Sequence, residues 1–270
     1  MSNLKKHIYK KFYHEVPVSN EVLEKLENLK EAGKVQHAKW EKMKTGEAKI
    51  KIQKNQKAVL LMDSNKAVDA FPFNYKGQVR YIPEPDPILI YFHTAYVNLV
   101  QIESKRDKVF ANTSVEGMTE QVINDLYEYY GLACSLIILL FTSLEAFINR
   151  SVPDAFEYKK VFEKRTEIYN KQQIQWLSFD EKVKTVLPKI KEMDFGKSHP
   201  ILQTIISNLK DFRNSIVHTR EEKEGHTPFD YLFKRAFTFD YRKALNAVKD
   251  FCNFYHGADY IQECPCSQDW

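Results

Sequence analysis

Beyond residue 86, apolar residues recur mostly at three- and four-residue intervals, the spacing of one face of an α-helix. This pattern predicts helices over about 87–105, 117–150, 153–170, 179–192, 199–219 and 239–256, joined at turn signals such as "RSVPD" and "FGKSHP". The second of these contains "YYGLACSLIILLFTSL", Tyr129 to Leu144, sixteen residues without a charge. That run falls short of the roughly 20 apolar residues a membrane span needs. Glu145, Asn149 and Arg150 follow at once, so the expected role is the central buried helix of a bundle, with no membrane span.

Before residue 86 the pattern is different. "SNEVLEKLENLKEAGKVQHAKWEKM" opens with a Ser/Asn cap and sets Val22, Leu23, Leu26 and Leu29 at helical spacing. "AKIKIQ", "AVLLMD" and "GQVRYIP" are short β-prone pieces that suggest a small sheet or hairpin. Three prolines in "YIPEPDP" read as a stop or linker. The expected organisation is a basic region, 1–82, of helix plus short strands (α/β or irregular), followed by a helical domain, 83–270. The fold class is mainly α.

Charge sharpens this division. Residues 1–80 hold 17 Lys and Arg against 9 Asp and Glu, leaving 23 against 27 for the remainder, so the N-terminal third is basic within a chain of formal charge +4. Such a Lys-rich helix can touch RNA phosphate, although a solvated helix face is the commoner explanation. Four cysteines, and a start, "MSNLKKHIYKKFY", without an apolar run and cleavage site, lead us to expect a reduced, cytoplasmic protein. Cys252, His256, Cys264 and Cys266 form a C-x3-H…C-x-C arrangement with N and S donors for zinc. The spacing is not a common zinc pattern, and free thiols beside a surface histidine are the plainer reading, so no metal or other cofactor is expected. With 8 glycines and no phosphate-binding glycine loop, H-E-x-x-H or G-x-S-x-G, the familiar nucleotide and hydrolase motifs are missing from the sequence.

The 199–219 helix carries the candidate chemistry. At 100° per residue, Leu202, Ile205, Ile206, Phe212 and Ile216 fall within about 60° of Leu209 and define an apolar stripe. Arg213 falls at about 40°, inside it, whereas Asn214 and His218 fall at about 140° and 180°, on the opposite face. A guanidinium drawn toward a core needs an acceptor. Glu145, the acid that follows the uncharged run, is the expected partner, with Asn149 one turn on as a neighbouring hydrogen-bonding group. His218 can give or take a proton near neutral pH, and an amide one turn away can orient it or a substrate oxygen.

"RNSIVH" near the end of a late helix resembles the Arg-Asn-x-x-x-His signature of the HEPN superfamily, and "SLEAFINR" in an earlier apolar helix is similar to the Leu-Glu-x-Phe-x-Asn pattern of many of its members. The resemblance covers about residues 87–256. It implies an all-α domain that acts as a metal-independent endoribonuclease through a homodimer, as in many prokaryotic toxins and phage-defence effectors, with Arg and His of two chains meeting in an interface cleft. His218 would then be general acid or base, Arg213 would stabilise phosphoryl charge, Asn214 would position the histidine or the phosphate, and Glu145 with Asn149 would support Arg213. Arg220 and His226, just past the helix, would grip the RNA backbone or else belong to a charged loop. The expected partners are RNA, a second copy of the chain, and an antitoxin or defence-system protein. The alternative is a non-catalytic dimerisation or binding module of the same fold, with Arg213 and Glu145 as buried structure.

Overall fold

The computed structural model describes residues 58–61, 67–113, 119–221, 226–256 and 260–262. The expected N-terminal helix and the "AKIKIQ" strand lie outside them. The chain is mainly helical, with a few short strands, and divides into two compact units between Asp86 and Pro87, within the proline-rich stretch.

The first unit contains an antiparallel three-stranded sheet in the order β1 (Ala58–Leu61), β2 (Ala67–Tyr75), β3 (Gln78–Pro83). β1 and β3 coincide with the "AVLLMD" and "GQVRYIP" pieces. β2 was not anticipated, because Asp69, Pro72 and Asn74 disguise it: proline cannot donate to a ladder and the other two disfavour strands. Its register nevertheless runs unbroken from Tyr75 opposite Gln78 to Ala70 opposite Pro83. The connection is two residues, Lys76 and Gly77, both at positive φ (52° and 79°), the pairing of signs a tight hairpin of right-handed twist requires. Gly77 N–H donates to Asn74 Oδ1 at 3.1 Å.

The second unit is built on a helical hairpin, α1 (Pro87–Asn112) and α2 (Glu120–Arg150). Pro87 sits at the first helical position, where its missing N–H costs nothing. Along α2, Tyr129, Ala133, Leu136, Ile137, Leu140 and Leu144 are completely buried. Length and composition would also let α2 cross a membrane, but half of its most apolar window is packed inside this fold. Ser143 Oγ donates to Ile88 O at 2.9 Å, fixing the open end of the hairpin.

The helix expected over 153–170 is not formed. Residues 158–169 make an antiparallel hairpin instead, β4 (Tyr158–Val161) with β5 (Thr166–Tyr169), Tyr158 opposite Tyr169. Aromatic and β-branched residues at alternating depth outweigh the helix-compatible lysines and glutamates of "EYKKVFEKRTEIY". Tyr158 is buried with Val152, Ile174 and Val186 in a small satellite core. α3 (Lys171–Gln175) follows, opened by a reciprocal capping box between Asn170 and Gln173.

The expected 179–192 helix forms with an interruption: α4 (Phe179–Glu181) passes through one π-helical turn, Lys182–Val186, into α5 (Leu187–Lys191), and Glu192 closes it in the left-handed region at φ 54°. After α6 (Phe195–Ser198), α7 (Pro200–Val217) packs on α2, burying Ile206, Leu209 and Phe212 of the anticipated stripe. α8 (Asp230–Thr238), a short helix that was not expected, and α9 (Tyr241–His256) complete the bundle.

α8 is anchored by its last turn. The Ala236 carbonyl, one of the C-terminal carbonyls that a helix cannot satisfy internally, accepts from Tyr129 Oη at 2.7 Å and Tyr241 Oη at 2.6 Å. Tyr129→Phe or Tyr241→Phe alone leaves that carbonyl with one donor and should cost about 1 kcal/mol. The double variant orphans it in a buried place, so denaturant melts should give a loss greater than the sum of the single ones.

Candidate functional site

Three elements meet at the polar end of α2. From α7, the Arg213 guanidinium lies over the Phe141 ring, 5.0 Å from Cζ to centroid, and Phe141 is in turn packed by Phe179 of α4 at 4.9 Å. Arg213 Nη2 stands 3.8 Å from Glu145 Oε2, each side chain 31% exposed, which is an ion pair at a longer range than a good hydrogen bond. Arg213 Nη1 donates to the adjacent Asn214 Oδ1 at 3.1 Å. The helical wheel separates Arg213 from Asn214 by about 100°. The long arginine side chain closes that gap, so Arg213, Asn214 and Glu145 form one cluster.

His218 stands apart from this cluster. α7 ends at Val217, and His218 caps it with φ −113° and ψ 48°, its N–H donating to Asn214 O at 2.9 Å. Leaving the helix removes the histidine from the angle that regular geometry assigns it. Its ring is exposed and makes no hydrogen bond among the described residues. Arg220 is likewise exposed. His226 is tied into the start of α8, where its backbone N–H donates to Asp230 Oδ2 at 3.1 Å. Cys252 is fully buried in α9, and His256 stacks on Tyr260 at 4.6 Å. Cys264 and Cys266 lie outside the described residues, and no group of three metal-ligating side chains occurs among those residues.

Asn149 has a partner that sequence reasoning missed. Lys182, at the start of the π-helical turn, is 3% exposed and donates from Nζ to Asn149 Oδ1 at 3.0 Å and to Gln175 O at 3.2 Å. Burial lowers its pKa, and the nearby Glu145 carboxylate partly offsets this. The Glu145–Asn149 face of α2 is therefore shared: Arg213 takes the carboxylate and Lys182 the amide. A signal was present, since Lys182 lies one turn before the buried Val186. The extra residue per turn of a π-helix, which carries the lysine toward α2, leaves no mark on periodicity.

Two ion pairs fasten this corner. Asp180 of α4 pairs with Lys210 of α7 at 2.6 Å, and Glu181 accepts from Lys160 Nζ at 2.5 Å and Tyr158 Oη at 2.7 Å. The Lys210 bond holds the Asp180 carboxyl below its ordinary range, and the Lys160 and Tyr158 bonds do the same for Glu181. Carboxyls with lowered folded-state pKa values stabilise the fold above their unfolded values, and the contribution disappears as pH falls through the lower folded values. Thermal melts should thus change little from neutrality to about pH 4.5 and fall steeply below about pH 4. Asp180→Asn should flatten that acid limb.

The buried lysine gives a second expectation. Desolvating an ammonium costs several kcal/mol, and an apolar residue of similar length avoids that cost. Lys182→Met escapes that cost but leaves Asn149 Oδ1 and Gln175 O without their donor, so it should lose about 1–3 kcal/mol, whereas Lys182→Ala opens a cavity as well and should lose about 2–4 kcal/mol in chemical denaturation.

No protein-family model, curated protein or solved structure matches this chain.

Proposed function

We propose that this chain is a metal-independent endoribonuclease of HEPN type, a cytoplasmic toxin or phage-defence effector that cuts RNA as a homodimer. The observation that carries the reading is the cluster at the end of α7: Arg213 and Asn214 in contact, Glu145 behind the guanidinium, and His218 exposed at the helix terminus. In this reading His218 takes the ribose 2′-OH proton, the 2′-oxygen attacks the adjacent phosphorus, and the P–O5′ bond breaks. The products are a 2′,3′-cyclic phosphate and a 5′-OH, whose proton comes from a second acid, His218 of the other copy. Arg213 meets the charge that develops on the non-bridging oxygens. Glu145 at 3.8 Å leaves the guanidinium with donors to spare for a phosphate.

One observation favours a second reading. Arg213 is half-buried and engaged by Phe141, Glu145 and Asn214, as a structural arginine would be. In that case the chain is a non-catalytic dimerisation or binding module.

Incubation of total RNA with wild type, His218→Ala and Arg213→Ala in the presence of EDTA separates the two readings. The nuclease reading expects cleavage products with cyclic phosphate ends from wild type, and at least about a hundredfold loss in the histidine variant. Equal cleavage by wild type and His218→Ala would remove the assigned role. A wild type that never cuts RNA leaves the binding module.

A further inference from the structure

A cleft of about 460 Å³ opens between α7, α8 and the start of α9. Its walls carry three cations, Lys234, Arg235 and Lys243, against one carboxylate, Asp240, together with the aromatic rings of Tyr231 and Phe239. Arg235 is the fixed feature. Its Nη2 donates to Asn208 O at 2.9 Å, and Cζ lies 5.0 Å from the Phe212 ring centroid and 6.0 Å from that of Tyr231. Among the described residues no carboxylate pairs with it. A guanidinium anchored by a backbone carbonyl and stacked between rings keeps its remaining donors oriented, and its charge is not neutralised locally.

The two lysines are held differently. Lys234 pairs with Asp230 at 2.7 Å and Lys243 with Asp240 at 2.9 Å, in both cases within one helical turn and with the lysine mostly exposed. The Lys243 pair is exposed on both sides and contributes little; Asp230 is only 14% exposed, but the Lys234 ammonium itself is open to solvent, so both lysines can also meet an anion from outside. Tyr231 is 51% exposed, and its ring lines the same cleft. An oriented guanidinium, two exposed ammonium groups and an exposed aromatic face fit a phosphodiester with a base stacked beside it.

The cleft also adjoins the candidate site. Arg235 Nη1 lies 3.5 Å from Ser215 Oγ, the residue next to Asn214, and Asn208 and Ile205 on the cleft wall belong to the same helix as Arg213. We propose that this cleft binds a segment of single-stranded RNA, with Arg235 on a phosphate, Lys234 and Lys243 on its neighbours, and Tyr231 against a base. This rests on the reading of the chain as one that acts on RNA, yet it concerns binding and not cleavage.

The test uses a short, fluorescently labelled single strand of 2′-O-methyl RNA, which 2′-OH attack cannot cut, titrated with the full chain at low salt. Lys234→Gln/Lys243→Gln changes exposed side chains only, so a matching thermal melt verifies its fold. The double variant should bind about tenfold or more weakly, with the log–log salt slope reduced by about 1.4. Arg235→Lys, which keeps the charge but loses the fork, should also weaken binding. Equal affinity in wild type and the double variant overturns the proposal, as does no binding by wild type. Adenosine monophosphate or inorganic phosphate competing as well as the unlabelled strand overturns it too, since the cleft would then be a mononucleotide or phosphate site. Binding by a wild type that never cuts unmodified RNA would reject the nuclease reading and leave the cleft standing.

Discussion

Glu145 and Asn149 end the most apolar helix of the protein with a carboxylate and an amide one turn apart, and this polar step constrains everything packed against it. Burying one face of α2 removes water from that face, so what covers its last turns there brings hydrogen-bond donors. Two elements do so. α7 brings Arg213 to the carboxylate, and the π-helical turn brings Lys182 to the amide. Val186, in the same turn as Lys182, ties that turn to the satellite core.

The two cations answer the same face with different consequences. Lys182 is almost fully enclosed, gives donors to an amide and a carbonyl, and has its charged form disfavoured by burial. It behaves as structure. Arg213 remains about one-third exposed, rests on Phe141 and touches its carboxylate only at 3.8 Å, so it retains capacity for an anion from outside. The structural work of neutralising Glu145 is thereby divided. An arginine with that whole task would have little charge to lend to a phosphate.

Much of this was legible in the chain. The buried run of α2, the α7 stripe and the Glu145–Arg213 pairing follow from periodicity and from the cost of leaving a guanidinium unpartnered. The β4–β5 hairpin was hidden because the lysines and glutamates of this segment suit a solvated helix face as well as a strand. β2 was hidden by Pro72, and α8 by its brevity, since nine residues with one buried side chain give a weak periodic signal. The candidate site was legible as a set of residues and less so as a geometry. A wheel assumes ideal α-geometry up to the last residue, and His218 departs from it.

By itself the sequence determined that α2 is buried, which face of α7 is apolar, that Arg213 would need a partner, and that a proline-rich stretch separates two different kinds of chain. These depend on local composition and spacing, which fix hydrophobic faces without reference to distant residues. Tertiary structure decided which partner each charge receives. It brought Lys182 to Asn149 across 33 positions of sequence, joined Arg213 to Asn214 around the helix, and assembled Lys234, Arg235 and Lys243 with Asn208 into one cleft. Such pairings depend on helix register and on the extra residue of a π-turn, and a shift of one residue in either would send a different side chain to the same place.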